Sequence, residues 1–525
     1  MTETSASATG TSGTQLRLAE LLASLSLAVD LGFDQPMEHV LRQTVIALRL
    51  ADRVGLDDES RSTLYYSSLL VNVGCHADAH EQAKWFGDDI ALKSTKYQHD
   101  FRSLAGMVSG LRAIGSGNPP LRRLRVGLAF AFGGHREVDA MIEQHAELAC
   151  GLAERLGLST QTQAAVAGSY ERWDGRGWPG RLRGDQIPQA SRISQLAEYV
   201  EVAHRMGGPE AAAGLARARS GRQFDPEFAA IVQNNAVALF AGIDESRTWN
   251  TVIAAEPQLR APLQGAAVDD ALAAVADFVD LKSPYTLGHS GAVAALAAEA
   301  GRVLALPDED IYLLRRAGLV HDVGRLGVSN AIWDKPAPLG TGEWERIRLY
   351  PYLTERILSQ SQPLARLGSV AVQHRERLDG SGYPRGLTAG ALSIVSRTLA
   401  AADAYRTWRE PRPHRVELSE ADAATRLRVD ARSGRLDNDS VEAVLAAAGH
   451  RINRRHSRPA GLSPREIEIL RLIARGLSSR QIADRLTLST KTVRNHTEHI
   501  YAKTGTDNRV TASLFAVEHG LLPVE

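Results

Sequence analysis

The sequence predicts an all-α protein: two tandem helical bundles followed by a small four-helix domain. Three observations predict it. Leu and Ala dominate the apolar residues while aromatics make up only 6% of the chain, a mix that favours helices over sheets. Apolar residues recur at helical spacing, and no stretch alternates with the two-residue period of a strand. The chain also echoes itself, the mark of a duplicated unit.

The echoes keep the same order in both copies. Tyr65–Gly74 (YYSSLLVNVG) lies over Arg315–Gly324 (RRAGLVHDVG), Glu171–Pro179 (ERWDGRGWP) over Glu376–Pro384 (ERLDGSGYP), and Leu215–Asp225 (LARARSGRQFD) over Leu427–Asp437 (LRVDARSGRLD). From Asn72 to Asp174 is 102 positions but from Asp322 to Asp379 only 57, so the first copy carries an insertion of 45 residues, placed within 76–140. Its Gly-Asn-Pro-Pro at 117–120 marks a turn.

Taken in order, the parts read as follows. Residues 1–15 are a Ser/Thr/Gly-rich start without an apolar h-region, expected to be disordered rather than a signal peptide. The first bundle occupies 16–245, a linker 246–265 and the second bundle 266–450. Within the second, Val293, Leu296, Ala297, Ala300, Val303 and Leu304 line one helix face, bracketed by Ser283-Pro284 and Pro307-Asp308. A basic linker (451–460) leads to the last domain, 461–525. Net charge is zero overall, yet Arg451 to the end holds 13 Lys+Arg against 7 Asp+Glu, which puts an electrostatic footprint there. Two cysteines, Cys75 and Cys150, argue against disulfides and a thiolate metal site. No run reaches the ~18 apolar residues a span needs. A cytoplasmic protein without membrane contact is expected.

The final domain announces its helices through caps. Ser463-Pro-Arg-Glu466 and Ser478-Ser-Arg-Gln481 are capping boxes, Ser489 caps a third helix that Gly505 stops, and a fourth runs from about Asp507 to His519. On the third helix Val493, His496, Thr497 and Ile500 share one side, while Lys491, Arg494, Asn495 and Glu498 share the other. Such a row of donors and acceptors suits the major groove of double-stranded DNA. The stretch LSPREIEILRLIARGLSSRQIADRLTLSTKTVRNHTEHIYAKTG closely resembles the LuxR/GerE/NarL-type helix-turn-helix. The resemblance implies that Lys491, Arg494, Asn495 and Glu498 face bases and that Lys503 and Arg509 touch phosphate. Thr504 stands where the family usually has Leu, a change expected to loosen the helix end.

Chemistry is concentrated in the second bundle. His321-Asp322 ends an apolar helix with Gly324 following, unlike His99-Asp100, which sits in a polar setting. With His289 upstream and Asp403 downstream, the pair resembles the HD superfamily of metal-dependent phosphohydrolases, and Asp379-Gly-Ser-Gly-Tyr-Pro384 narrows this to the HD-GYP type, known for hydrolysing cyclic di-GMP. The resemblance implies that His289, His321, Asp322 and Asp403 hold one divalent ion (Mn, Fe or Mg) with positions left for water and phosphate. Asp322 and Arg325 would be the catalytic pair, Arg325 replacing a family Lys and keeping its charge. Binuclear relatives use a His before Pro and a His-His pair. Here Tyr350 precedes Pro351 and the pair is His374-Arg375, so one metal at most is expected, with His374 near the pocket.

The first copy has lost more. His39 and His145 remain, but Val71-Asn72 replaces the His-Asp pair, Ser169-Tyr170 the His pair and Glu198 the final Asp. It is expected to be metal-free, to keep Asp174–Pro179 as a packing turn, and to serve dimerisation or sensing. The whole reads as a homodimeric DNA-binding regulator whose second bundle hydrolyses or senses a nucleotide, a cyclic dinucleotide among the candidates. The alternative is a non-catalytic ligand- or metal-sensing switch.

Overall fold

The computed structural model describes residues 15–97, 112–115, 120–130, 135–244, 248–257, 260–451, 460, 462–518 and 521. The start up to 14, the His99-Asp100 pair and most of the basic linker lie outside them. Among the described residues the chain is helical, with isolated bridges such as Leu16–Leu263 in place of any strand. It divides into a unit up to Ala448 and a second from Gly449. No described helix is long and apolar enough to cross a membrane.

Corresponding helices start in the same way in the two copies. The His39–Val54 helix follows Glu38 at φ 78, and the His289–Val303 helix follows Gly288 at φ 71. The left-handed residue turns the chain so that each histidine opens its helix. A buried carboxylate then receives the next amide: Asp30 Oδ1 from Val40 N (3.2 Å) and Asp280 Oδ2 from Ser290 N (2.8 Å).

The copies do not fold as separate globules. One core joins Leu22, Leu25 and Val29 of the Leu18–Gly32 helix to Val320, Val323, Leu326, Ile357 and Leu358 of the second copy. Gly327 lies where a Cβ would stand 2.9 Å from Leu353 and 3.2 Å from Leu31, so the two copies meet there with little room. Residues 246–265, expected as a linker, instead carry the Thr248–Ala254 helix, whose Trp249 and Val252 are buried in this core. Glu256 pairs with Arg17 and accepts from the Tyr66 hydroxyl at 2.7 Å. Apolar residues at helical spacing were available in that stretch, and burial against the first helix outweighs its Pro and Gly signals.

The insertion braces the second copy. Asp89, at the start of the Asp89–Ser94 helix, is buried and accepts from Ser329 Oγ (2.7 Å) and Asn330 N (2.8 Å). The Lys93 and Lys282 ammoniums stand 3.2 and 3.5 Å from its other oxygen. Burial alone would push this carboxyl up, but the two ammoniums and these hydrogen bonds hold it well below the usual range. His80 Nδ1 meets Asp334 at 2.8 Å. The loops so pinned, around 282–286 and 323–334, carry residues of the site described next.

The C-terminal unit contains the four expected helices, Pro464–Ala474, Ser479–Leu486, Thr490–Thr504 and Arg509–Glu518, around Ile469, Leu470, Ile482, Val493, Ile500 and Ala512. Both capping boxes form, and Gly505 ends the third helix at φ 66. At its end the Thr504 hydroxyl donates to Ile500 O at 2.7 Å, a bond Leu could not make.

Candidate metal centre and nucleic-acid interface

Four helices of the second copy bring the predicted quartet together. His289 opens one helix, His321-Asp322 closes the Asp308–Val320 helix, Asp403 lies on Ile394–Arg409, and His374 follows Gln362–Ala371. All five are buried. His289 Nε2 is 3.4 Å from Asp403 Oδ1 and 3.8 Å from Asp322 Oδ2. His321 Nε2 is 3.5 Å from Asp322 Oδ1 and 3.8 Å from Asp403 Oδ1.

The outer nitrogens fix each ring. His289 Nδ1 faces Glu410 Oε2 at 2.8 Å, His321 Nδ1 faces Gly318 O at 2.7 Å, and His374 Nδ1 faces Ala371 O at 2.6 Å. In its neutral form each ring makes these bonds with a proton on Nδ1, which leaves Nε2 as the lone-pair nitrogen a cation would take. His289 Nε2, His321 Nε2 and Asp322 Oδ1 are buried with no hydrogen-bond partner. Buried polar atoms are rarely left so. The ligand atoms of His289, His321 and Asp403 lie within 4.8 Å of one another, and those of His321, Asp322 and His374 form an adjoining group on the same scale; imidazole and carboxylate together make a donor set that fits a divalent cation.

Charge around the quartet is balanced by arginines. Arg325 Nη1 donates to Asp322 Oδ2 at 2.9 Å while its guanidinium lies 4.1 Å from the centre of the Trp333 ring. Arg375 Nη1 is 3.2 Å from Asp403 Oδ2. Burial works to raise both carboxyls, yet His321 and Arg325 at Asp322, and Arg375 at Asp403, hold them well below the usual carboxylate range. His289 is lifted to about 9, because Asp403 and Glu410 outweigh the burial that opposes its charge. His374 falls to about 3, from burial and the neighbouring His321.

Sequence reasoning missed Glu410, Arg412 and the contacts of Arg375. Glu410 is the extended residue that ends the Ile394–Arg409 helix, so helical spacing from Asp403 does not place it. Arg412 Nη2 then holds Glu410 at 2.9 Å. The Asp379–Pro384 loop is scaffold. Glu376 accepts from Arg385 N (2.8 Å) and Leu387 N (2.9 Å), and Tyr383 N donates to Arg375 O at 3.1 Å. Glu171 closes the matching loop of the first copy through Arg181 N and Leu182 N. A Cβ at Gly382 or Gly177 would stand about 2.4 Å from backbone, so neither loop tolerates another residue there.

In the first copy the equivalent space is filled from within. Lys96 Nζ bonds Asn72 Oδ1 at 2.6 Å and Glu198 Oε1 at 2.5 Å, and Tyr97 Oη donates to Glu198 Oε1 at 2.8 Å. His39 is held by Glu201 on Nδ1 and stands 3.3 Å from Tyr97 Oη on Nε2. His145 is turned to Asp78, with Cys75 Sγ at 3.7 Å from its Nδ1.

On the Thr490–Thr504 helix Lys491, Arg494, Asn495 and Glu498 are exposed in one row, and Val493 and Ile500 are buried behind them. The structure sets Lys503 and Arg509 apart from that row. Lys503 Nζ bonds Glu466 at 2.7 and 2.9 Å. Arg509 donates to Leu477 O and, at 3.4 Å, to Ile473 O, capping the end of the first helix. Both cations are thus engaged within the domain.

Residues 135–228 and 273–439 match the HD domain family, one stretch in each copy, and residues 460–516 match the bacterial regulatory proteins of the luxR family. The 3'3'-cGAMP-specific phosphodiesterase 3 of Vibrio cholerae is 31% identical over 405 residues, 76% of this chain and 88% of its own length. A cyclic di-GMP phosphodiesterase of Pseudomonas aeruginosa is 34% identical over 166 residues, 31% of this chain and 40% of its own. The crystal structure of a cyclic GMP-AMP specific phosphodiesterase of V. cholerae superposes with a TM-score of 0.57 at 27% identity, covering 83% of this chain and 98% of that one. The chain is therefore a member of the HD-domain phosphodiesterase family of the V. cholerae 3'3'-cGAMP-specific enzyme, joined to a luxR-type DNA-binding domain.

Proposed function

We propose that the second copy hydrolyses a phosphodiester bond of a cyclic dinucleotide, using one divalent ion held by His289, His321, Asp322 and Asp403, and that its state controls DNA binding. The observation that carries this reading is that His289 Nε2 and His321 Nε2, buried without partners, lie within 4.8 Å of each other and of Asp403, with the unpartnered Asp322 Oδ1 3.5 Å from His321 Nε2. When bound, the ion supplies Lewis-acid activation of phosphate and lowers the pKa of an attacking water. Glu410, Gly318 O and Ala371 O keep the imidazole lone pairs aimed inward. Arg325, fixed between Asp322 and Trp333, offers charge where negative charge develops on a phosphate. The proposed substrate class is supported by the relatives, which are phosphodiesterases of 3'3'-cGAMP and of cyclic di-GMP.

On the DNA side, Arg494 and Asn495 read base edges with Lys491 and Glu498 beside them, and two chains pair so that two recognition helices meet successive half-sites. A ligand shifts that binding only through its different affinity for two dimer arrangements. Control without turnover is the second reading, favoured by Tyr350 and Arg375, which stand where binuclear relatives have metal-binding histidines.

The test is metal analysis of the full-length protein after reconstitution with manganese or iron, followed by product analysis with 3'3'-cGAMP and cyclic di-GMP. One ion per chain and linearised product support the hydrolase. Metal or ligand bound without product supports the switch. No metal under any loading sinks the hydrolase. For DNA, Arg494→Ala should cost about 1–3 kcal/mol at the specific site alone; equal loss on random DNA defeats the base-reading row.

A further inference from the structure

Tyr350 and Arg375, the two departures from the binuclear pattern, are bonded to each other. The Tyr350 hydroxyl donates to His374 Nε2 at 2.6 Å and accepts from Arg375 Nε at 2.8 Å. His374 Nε2 lies 3.7 Å from Asp322 Oδ1, and His321, Asp322 and His374 form a second group within ligand distance of one another. That group cannot serve an ion while His374's lone pair is taken by Tyr350. Meanwhile each carboxylate is shared between imidazoles and a guanidinium. Asp403 turns Oδ1 towards His289 and His321 and leaves Oδ2 to Arg375, while Asp322 turns Oδ1 towards His321 and His374 and its Oδ2, 3.8 Å from His289 Nε2, takes Arg325.

We propose that Arg375, held in place by Tyr350, is a tethered cation standing in for a second metal ion: it limits the centre to one divalent ion and supplies fixed positive charge through Asp403. It is a positioning residue, acting on the ligand rather than on the phosphate. The proposal rests on the one-metal reading above. The first copy supports it independently, because there the same exchange has gone to completion: the Lys96 ammonium sits between Asn72 and Glu198, the counterparts of Asp322 and Asp403. A guanidinium also cannot be lost to a chelator, which a second ion could be.

The experiment counts manganese per full-length chain after loading and removal of excess. Wild type should hold one ion and Tyr350→His/Arg375→His two. Arg375→Gln should keep one ion and turn over bis(p-nitrophenyl) phosphate at least about tenfold more slowly, the effect typical of a lost outer partner of a metal ligand. Arg375→Lys should recover part of that rate. One ion in both wild type and the double variant overturns the proposal and leaves the hydrolase reading standing. No ion in wild type but one or more in the double variant overturns the hydrolase reading and upholds the displacement of metal by Arg375. No ion in either overturns both. Should the double variant fail to fold, Tyr350→Phe/Arg375→Gln, which frees His374 without adding bulk, takes its place. A second, weaker manganese site in an electron paramagnetic resonance titration is then expected, and its absence overturns the proposal. An unchanged rate in Arg375→Gln overturns the charge-supplying role.

Discussion

The two copies place the same backbone around two different solutions to one electrostatic problem. Each buries carboxyl groups beside a histidine that opens a helix, and each holds that histidine by a carboxylate on Nδ1, Glu201 in the first copy and Glu410 in the second. In the second copy the inner atoms are left without partners. In the first, Lys96 reaches in from the lengthened segment, and burial, which opposes its charge, is outweighed by Glu198 so that the ammonium stays protonated. Glu198 is held below its usual range in turn. A buried carboxylate needs a cation, and the difference between the copies shows that a loop of suitable length can supply one permanently. What the first copy offers is a fixed support, reaching through Asp89 to the loops of the second.

Four tests can break or sharpen this contrast. The largest effect is expected from the Asp322/Asn72 pair. Asp322→Ala should abolish bound metal and slow phosphodiester hydrolysis by about 100-fold or more, beyond the range for outer partners, whereas Asn72→Ala should leave metal content unchanged. Elemental analysis beside product chromatography reads both, and metal lost on changing Asn72 would mean that the first copy binds it.

Lys96→Met comes next. It strands Glu198 as an uncompensated buried charge, which costs about 3–5 kcal/mol, and adding Glu198→Gln should restore most of the loss. Chemical denaturation follows this, and a Lys96→Met protein as stable as wild type would show that the ammonium is not needed there.

Glu201 gives a pH signature. His39, Arg42 and Arg205 overcome the effect of burial and hold it at about 2, below its usual 4.5. A depressed pKa contributes stability above the unfolded value that is lost as pH falls from about 4.5 towards 2, up to about 3 kcal/mol. The gap between wild type and Glu201→Gln should therefore be widest at neutral pH and close in that window. A gap that is constant with pH contradicts the pairing.

Glu410→Gln is expected to have the smallest effect. It weakens the hold on His289 and should lower metal affinity by about 10–100-fold with little loss of stability, because Glu410 is partly open to solvent. Isothermal titration with manganese measures this, and an unchanged affinity would remove Glu410 from the centre.

Legibility followed distance along the chain. The caps at Ser463, Ser478 and Ser489 depend on bonds spanning three residues, and each forms as read. The quartet was legible because a ligand set needs particular residue types, and a second, eroded copy showed which ones had changed. Residues 246–265 were misread because their partner is the Leu18–Gly32 helix, more than 200 positions away, and nothing local marks that contact. Lys503 and Arg509 were read as phosphate contacts from the resemblance, but Glu466 and the carbonyls of Leu477 and Ile473 lie within reach only once the helices have packed.

The sequence by itself determined the helices, the duplication, the residues that can bind a metal and the row that can face DNA, since these depend on periodicity, caps and side-chain chemistry. Tertiary structure alone decided which cation meets each buried carboxylate. Lys96 finds Glu198 across 102 positions, and Arg375 meets Asp403 while bonded to Tyr350. Such pairings follow from where packed helices leave a charge without water, and a charge buried by distant neighbours leaves no mark on the residues beside it in the chain.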